Sequence, residues 1–158
     1  MNFNGWIIWG FGATLLLSIV NTAAQGLGLT RMSLPFMLGS AVTRGHDRAR
    51  VVGTVAHFAF GLLFALAYAA IFDSLGAAGL MRGAIIGFIH GAGALTVGMS
   101  LLPALHRGMA SEQHGPTASR LLEPPGMLAL HYGTSTPVVV MISHVLYGAI
   151  LGTFYVPG

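Results

Sequence analysis

Four apolar stretches, residues 5–27, 51–72, 83–102 and 137–156, alternate along the chain with segments that hold nearly all of its charge. Each is close to the roughly 20 residues that a helix needs to cross a hydrocarbon core of about 30 Å. The pattern predicts an all-α, polytopic membrane protein with four transmembrane helices. Within the first stretch, Gly10, Thr14, Ser18, Thr22 and Gly26 recur at every fourth position, a stripe of small residues along one slowly drifting helix face. Asn21 and Gln25 add a polar strip to that side. In the third stretch Gly83, Gly87 and Gly91 repeat the GxxxG spacing that lets membrane helices approach closely. His90 falls beside that stripe, so it is expected to face protein.

Two of the stretches carry the same phrase. His57-Phe58-Ala59-Phe60-Gly61 running to Tyr68 matches His144-Val145-Leu146-Tyr147-Gly148 running to Tyr155 without a gap. Pro35-Phe36-Met37-Leu38 is echoed by Pro125-Gly126-Met127-Leu128, and short interfacial helices are expected around both prolines. The expectation is a tandem duplication, repeat one covering about residues 1–75 and repeat two about 80–158 of a single membrane domain. Two copies of equal orientation are related by an axis along the membrane normal. His57 and His144 then share one depth, each about six residues or roughly 9 Å inside its helix.

Composition agrees with this solvent assignment. Hydrophobic residues make up 54% of the 158 and charged residues only 7%, far below the roughly 25% charged of a soluble domain. Mean hydropathy is +0.77. The net charge of +3 comes from arginine alone. Arg31, Arg44, Arg48, Arg50, Arg107 and Arg120 fall in the first and third linkers, which four spans place on one side; only Arg82 lies on the other. The positive-inside rule makes the arginine-rich side cytoplasmic and puts both termini outside. The first stretch lacks a basic leader and a cleavage signature, so it is expected to be retained, with Trp6 and Trp9 as interfacial anchors. With no cysteine, disulfides and thiolate chemistry are excluded. The arginines lack aromatic interleaving, which argues for membrane lipid as their partner and against nucleic acid.

The candidate chemistry is therefore histidine inside an apolar bundle. His57, His144 and His90, with Asn21, Thr22, Gln25 and Thr96, are expected to form a polar layer in the cytoplasmic half. The bland account is structural: imidazoles satisfied by neighbouring amides and hydroxyls. Alternatively His57 and His144, perhaps joined by His90, ligate haem or a transition metal, with Gly61 and Gly148 making room. They would otherwise relay protons or gate a small pore. His106, His114, Glu123 and His131 in the long linker match no metal-ligand spacing. No nucleophile elbow, carboxylate pair or phosphate loop appears, so the chain is expected to be non-enzymatic. An accessory or structural subunit, or a homo-oligomer, is the leading expectation for its function.

The residues His57-x-x-Phe60-Gly61 to Tyr68, Arg82-Gly83-Ala84, and His144-x-x-Tyr147-Gly148-Ala149-x-x-Gly152 resemble the YagU-like group of small uncharacterised bacterial inner-membrane proteins. The resemblance covers roughly the last two thirds of the chain. It implies a multi-pass protein of the bacterial inner membrane and brings no activity or catalytic residues.

Overall fold

The computed structural model describes residues 1–110 and 122–158 and is helical throughout. His114 and Arg120 lie outside the described residues. Helix α1 covers Phe3–Gly26, α2 Leu34–Ser40 and α3 His46–Ser74. Helix α4, Leu80–Gly93, runs through a π-helical turn, Ala94–Gly98, into α5, Met99–Leu105; α6 spans Thr136–Phe154. Among the described residues four helices are long and apolar enough to cross a membrane: α1, α3, the α4 to α5 rod and α6.

Close backbone approach sets how these helices pair. Along α1 the small stripe meets α3 antiparallel: a Cβ on Gly10 would touch Ala65, Thr14 fills the notch at Gly61, and the Ser18 hydroxyl reaches His57. Between α4 and α6 the contact is tighter. Gly83 and Gly148 face each other so closely that a methyl on either would enter the other's backbone, and Gly87 lies against the His144 backbone. Lipid gives no hydrophobic drive for helices to associate, so such contacts supply much of what holds the bundle. Helix α1 also packs on α6, whereas α3 and α4 are not among the closely packed pairs.

At one end, Met1, the α3–α4 turn and the C-terminus meet. The Asp73 carboxylate accepts from the Tyr155 hydroxyl at 3.0 Å and lies 3.6 Å from the amino terminus. At the arginine-rich end, Arg31 pairs with Glu123 at 3.2 Å and donates to the His131 carbonyl. Buried Thr30 and Thr136 share a 2.7 Å hydrogen bond there. Both linkers thus fold over the same end, as four spans require.

Several local expectations change. Residues 46–50, which precede the second apolar stretch, already belong to α3, which begins at His46. Helix α2 does more than lie at an interface: Gly39 abuts the Ala49 carbonyl and Gly53 abuts that of Pro35, which wedges α2 into α3. Around Pro125 the chain forms a 3-10 segment, Met127–Tyr132, with Leu128 and Ala129 at positive φ, not a second copy of α2. The third apolar stretch, expected to end at residue 102, continues as helix through Pro103 to Leu105. Trp6 does not merely anchor at an interface, because its indole donates to the Leu62 carbonyl of α3 at 2.8 Å.

Candidate functional site

Where α3 and α4 stand apart, a cavity of about 610 Å³ opens. Its floor is α1 and α6, through Thr14, Leu17, Asn21, Val140, His144 and Tyr147; its walls are α3 and the α4 to α5 rod; α2 and His106 close the arginine-rich end. Phe60, Phe64 and Val97 line it while remaining substantially exposed at membrane depth, so the cavity opens sideways. The π turn contributes Ala94, Val97 and Gly98 to the wall and is preceded by Gly93. Widened turns of this kind recur at functional sites. A Cβ built on Gly93 meets nothing within 4 Å, so the space beside it is open.

All three predicted histidines line this cavity. His57 is only 7% exposed, and its Nε2 lies 3.0 Å from the Ser18 hydroxyl. Ser18 gives its own proton to the Thr14 carbonyl at 2.7 Å, so Nε2–H of His57 is the donor in that contact. His144 donates Nδ1–H to the Val140 carbonyl at 2.8 Å. His90 Nδ1 lies 3.2 Å from the Tyr68 hydroxyl. The His90 ring also packs edge to face on His144, with centroids 4.7 Å apart, and against Phe64 at 4.3 Å. Tyr147, one turn beyond His144, is buried and bonds the Gly61 carbonyl one turn beyond His57. That bond ties α6 to α3 at a common level.

The remaining members of the expected layer separate. Asn21 is half-buried in the cavity floor, its amide donating to Leu17 at 2.9 Å, and Gln25 is half-buried further along. Thr22 and Thr96 do not join the layer; both are exposed. Thr22 lies where the stripe has drifted about 40° per four residues and α2 takes over as the neighbour of α3. Thr96 stands five residues past Gly91, about 140° round the helix, and its hydroxyl is satisfied by the Ala92 carbonyl at 2.7 Å.

The linker histidines are engaged separately. Buried His106 donates Nε2–H to the Met37 carbonyl at 2.8 Å and accepts from the Gly108 amide at 3.1 Å. His131 donates to the Pro124 carbonyl at 2.9 Å. Burial pushes the Tyr132 phenol up to about 12, with the Glu123 carboxylate adding to the rise.

Among the described residues no three histidine or acidic side chains are grouped to hold a metal ion. His57 Nε2 is engaged by Ser18, and the edge-to-face packing leaves no room for a metal between His90 and His144; the ring nitrogens of His57 and His144 still without a protein partner among the described residues are His57 Nδ1 and His144 Nε2. Sequence reasoning missed Tyr68 and Tyr147 as the hydroxyls that orient this cluster; their place at the end and start of the repeated phrases was the available signal. Set beside family models, curated proteins and solved structures, the chain matches none.

Proposed function

We propose that this is a non-enzymatic integral membrane protein that takes a small apolar molecule from the surrounding lipid into the cleft between α3 and α4. The observation that carries the proposal is the cavity itself: about 610 Å³ of apolar space at membrane depth with four histidines in its lining. That volume and that mixture of walls are typical of small-molecule sites. A polar layer serving only to hold helices together would be served better by a closed seam like that between α4 and α6.

The location we propose is a bacterial inner membrane, with the arginine-rich end cytoplasmic and both termini outside. The supports are the arginine distribution and the YagU-like resemblance. We also infer a duplicated hairpin. In its favour, Gly61 and Gly148 each receive a partner from the preceding span, one turn beyond His57 and His144 respectively.

Native mass spectrometry of protein purified in mild detergent tests the ligand proposal. Wild type is expected to carry a bound non-protein mass, and Gly93→Leu to lose it while melting at the same temperature or higher. Gly93 has helical dihedrals and open space beyond it, so leucine fills the cleft without strain. No bound mass in wild type, the same mass in both proteins, or a dimer that buries the cleft would overturn the proposal.

A further inference from the structure

We infer that the ligand of this cleft carries a hydroxyl group, whose proton is accepted by one of two neutral imidazole nitrogens on the cleft wall, His57 Nδ1 or His144 Nε2. The inference rests on the cleft being a ligand site and adds the chemistry of its head group. It follows from accounting for every proton in the cluster. Neutral imidazole has one N–H and one lone pair. His57 spends its N–H on Ser18, because the serine proton is already committed to Thr14. Its Nδ1 is therefore a bare acceptor, with no partner among the described residues.

His144 is the mirror case. Its Nδ1–H is committed to the Val140 carbonyl, which leaves the lone pair on Nε2. Neither nitrogen is sealed away, since no fully buried side-chain nitrogen or oxygen lacks a partner; both residues line the cleft. The Tyr147 proton is used on Gly61; Tyr68 and His90 share one hydrogen bond through Nδ1, which uses one of their two protons and leaves one donor over. No hydrogen bond joins the His90 and His144 rings, which touch only edge to face.

The wall thus holds two bare acceptors, His57 Nδ1 and His144 Nε2, against one spare donor on the Tyr68–His90 pair. An acceptor facing hydrocarbon is satisfied only by a donor, and a ketone or ester oxygen would set lone pair against lone pair. An alcohol or quinol supplies the O–H. Sites built to bond a hydroxyl reject analogues lacking it far more strongly than apolar walls reject a missing methylene. The apolar remainder of the ligand would lie against Phe60, Phe64 and Val97 at the cleft's open side.

The test uses two probes with the same farnesyl chain, farnesol and farnesyl methyl ether. These are supplied together to the full-length protein in phosphatidylcholine nanodiscs, and bound ligand is counted by native mass spectrometry. Wild type is expected to prefer the alcohol by about tenfold, the value of one good neutral hydrogen bond. Two substitutions keep each histidine's bond to the protein while taking the acceptor from its ring position: in His57→Gln the amide NH₂ still reaches Ser18, in His144→Asn it still reaches Val140, and the remaining acceptor is an amide oxygen displaced from where the ring nitrogen stood. Both variants are expected to melt like wild type, and at least one to lose most of the preference.

Equal binding of alcohol and ether, abolished by Gly93→Leu, would overturn the hydroxyl inference and leave the ligand site standing. A preference that survives in both histidine variants would overturn it as well. Binding of neither probe, in a protein that also carries no mass from its native membrane, would overturn the ligand site and the hydroxyl inference together.

Discussion

Alanine at Gly148 probes what holds α4 against α6. Its new methyl would sit more than about 1 Å inside the 3.3–3.6 Å at which carbon and carbonyl oxygen rest, facing the Gly83 carbonyl, and 2.9 Å from the Gly87 amide nitrogen. Both obstacles are backbone, so no rotamer change relieves them and the helices must part by about 1 Å. A gap of that size forfeits up to half of each contact's attraction. For about twenty atom pairs at 0.1–0.2 kcal/mol each, the loss is about 1–2 kcal/mol, in line with the 1–3 kcal/mol typical of overpacking. Gly12 supplies the control, since a Cβ there meets nothing within 4 Å and alanine gains up to about 1 kcal/mol of helix propensity. Reversible unfolding in mixed dodecylmaltoside and dodecyl sulfate micelles, followed by circular dichroism, should place the two variants on opposite sides of wild type. Equal stability of Gly148→Ala and Gly12→Ala would refute the backbone-contact account.

Other outcomes follow from the same geometry. Tyr147→Phe removes the hydroxyl that ties α6 to the Gly61 carbonyl and should cost about 0.5–1.5 kcal/mol in that unfolding assay; no change would mean the bond is not made. His106→Ala removes one of two side-chain donors to the Met37 carbonyl, the Ser40 hydroxyl remaining at 3.1 Å, and should cost about 0.5–1.5 kcal/mol, with His106→Gln recovering part of the loss. Tyr132 should ionise only as pH approaches about 12, so the 295 nm absorbance of Tyr132→Phe should part from that of wild type only there. Because its folded-state pKa is raised, the stabilisation from Tyr132 is complete below pH 10 and fades as pH rises toward 12. A difference between the two proteins already present near pH 10 would contradict its burial.

Much of the fold could be read from the chain because apolar length and glycine spacing are local properties. Residues 83–102 looked like a membrane helix whatever they touch, and the Gly83, Gly87, Gly91 stripe signalled a close neighbour. Spacing alone could not say that this neighbour is α6, nor that α3 and α4 would stand apart. Depth counted along a helix placed Thr96 in the polar layer, but depth does not say which way a side chain points, and Thr96 turns outward to satisfy itself on Ala92. The π turn at Ala94–Gly98 changes the hydrogen-bond register without changing the hydrophobic pattern, so it left no trace to read. Of the candidate site, His57, His90 and His144 were legible because a histidine in an apolar run stands out. The proton assignments were not, since they depend on Ser18, Thr14 and Val140, whose hydroxyl and carbonyl groups look unremarkable in the chain.

The central claim is that the space between α3 and α4 is occupied by a ligand from the membrane, and an experimental structure of the protein in a native-lipid nanodisc tests it most directly. Elongated non-protein density is expected in the cleft, with one end within hydrogen-bonding distance of His57 Nδ1 or His144 Nε2 and the rest lying along Phe60 and Phe64. A cleft closed by α3 moving onto α4, or filled by a helix of a second copy, would contradict the account.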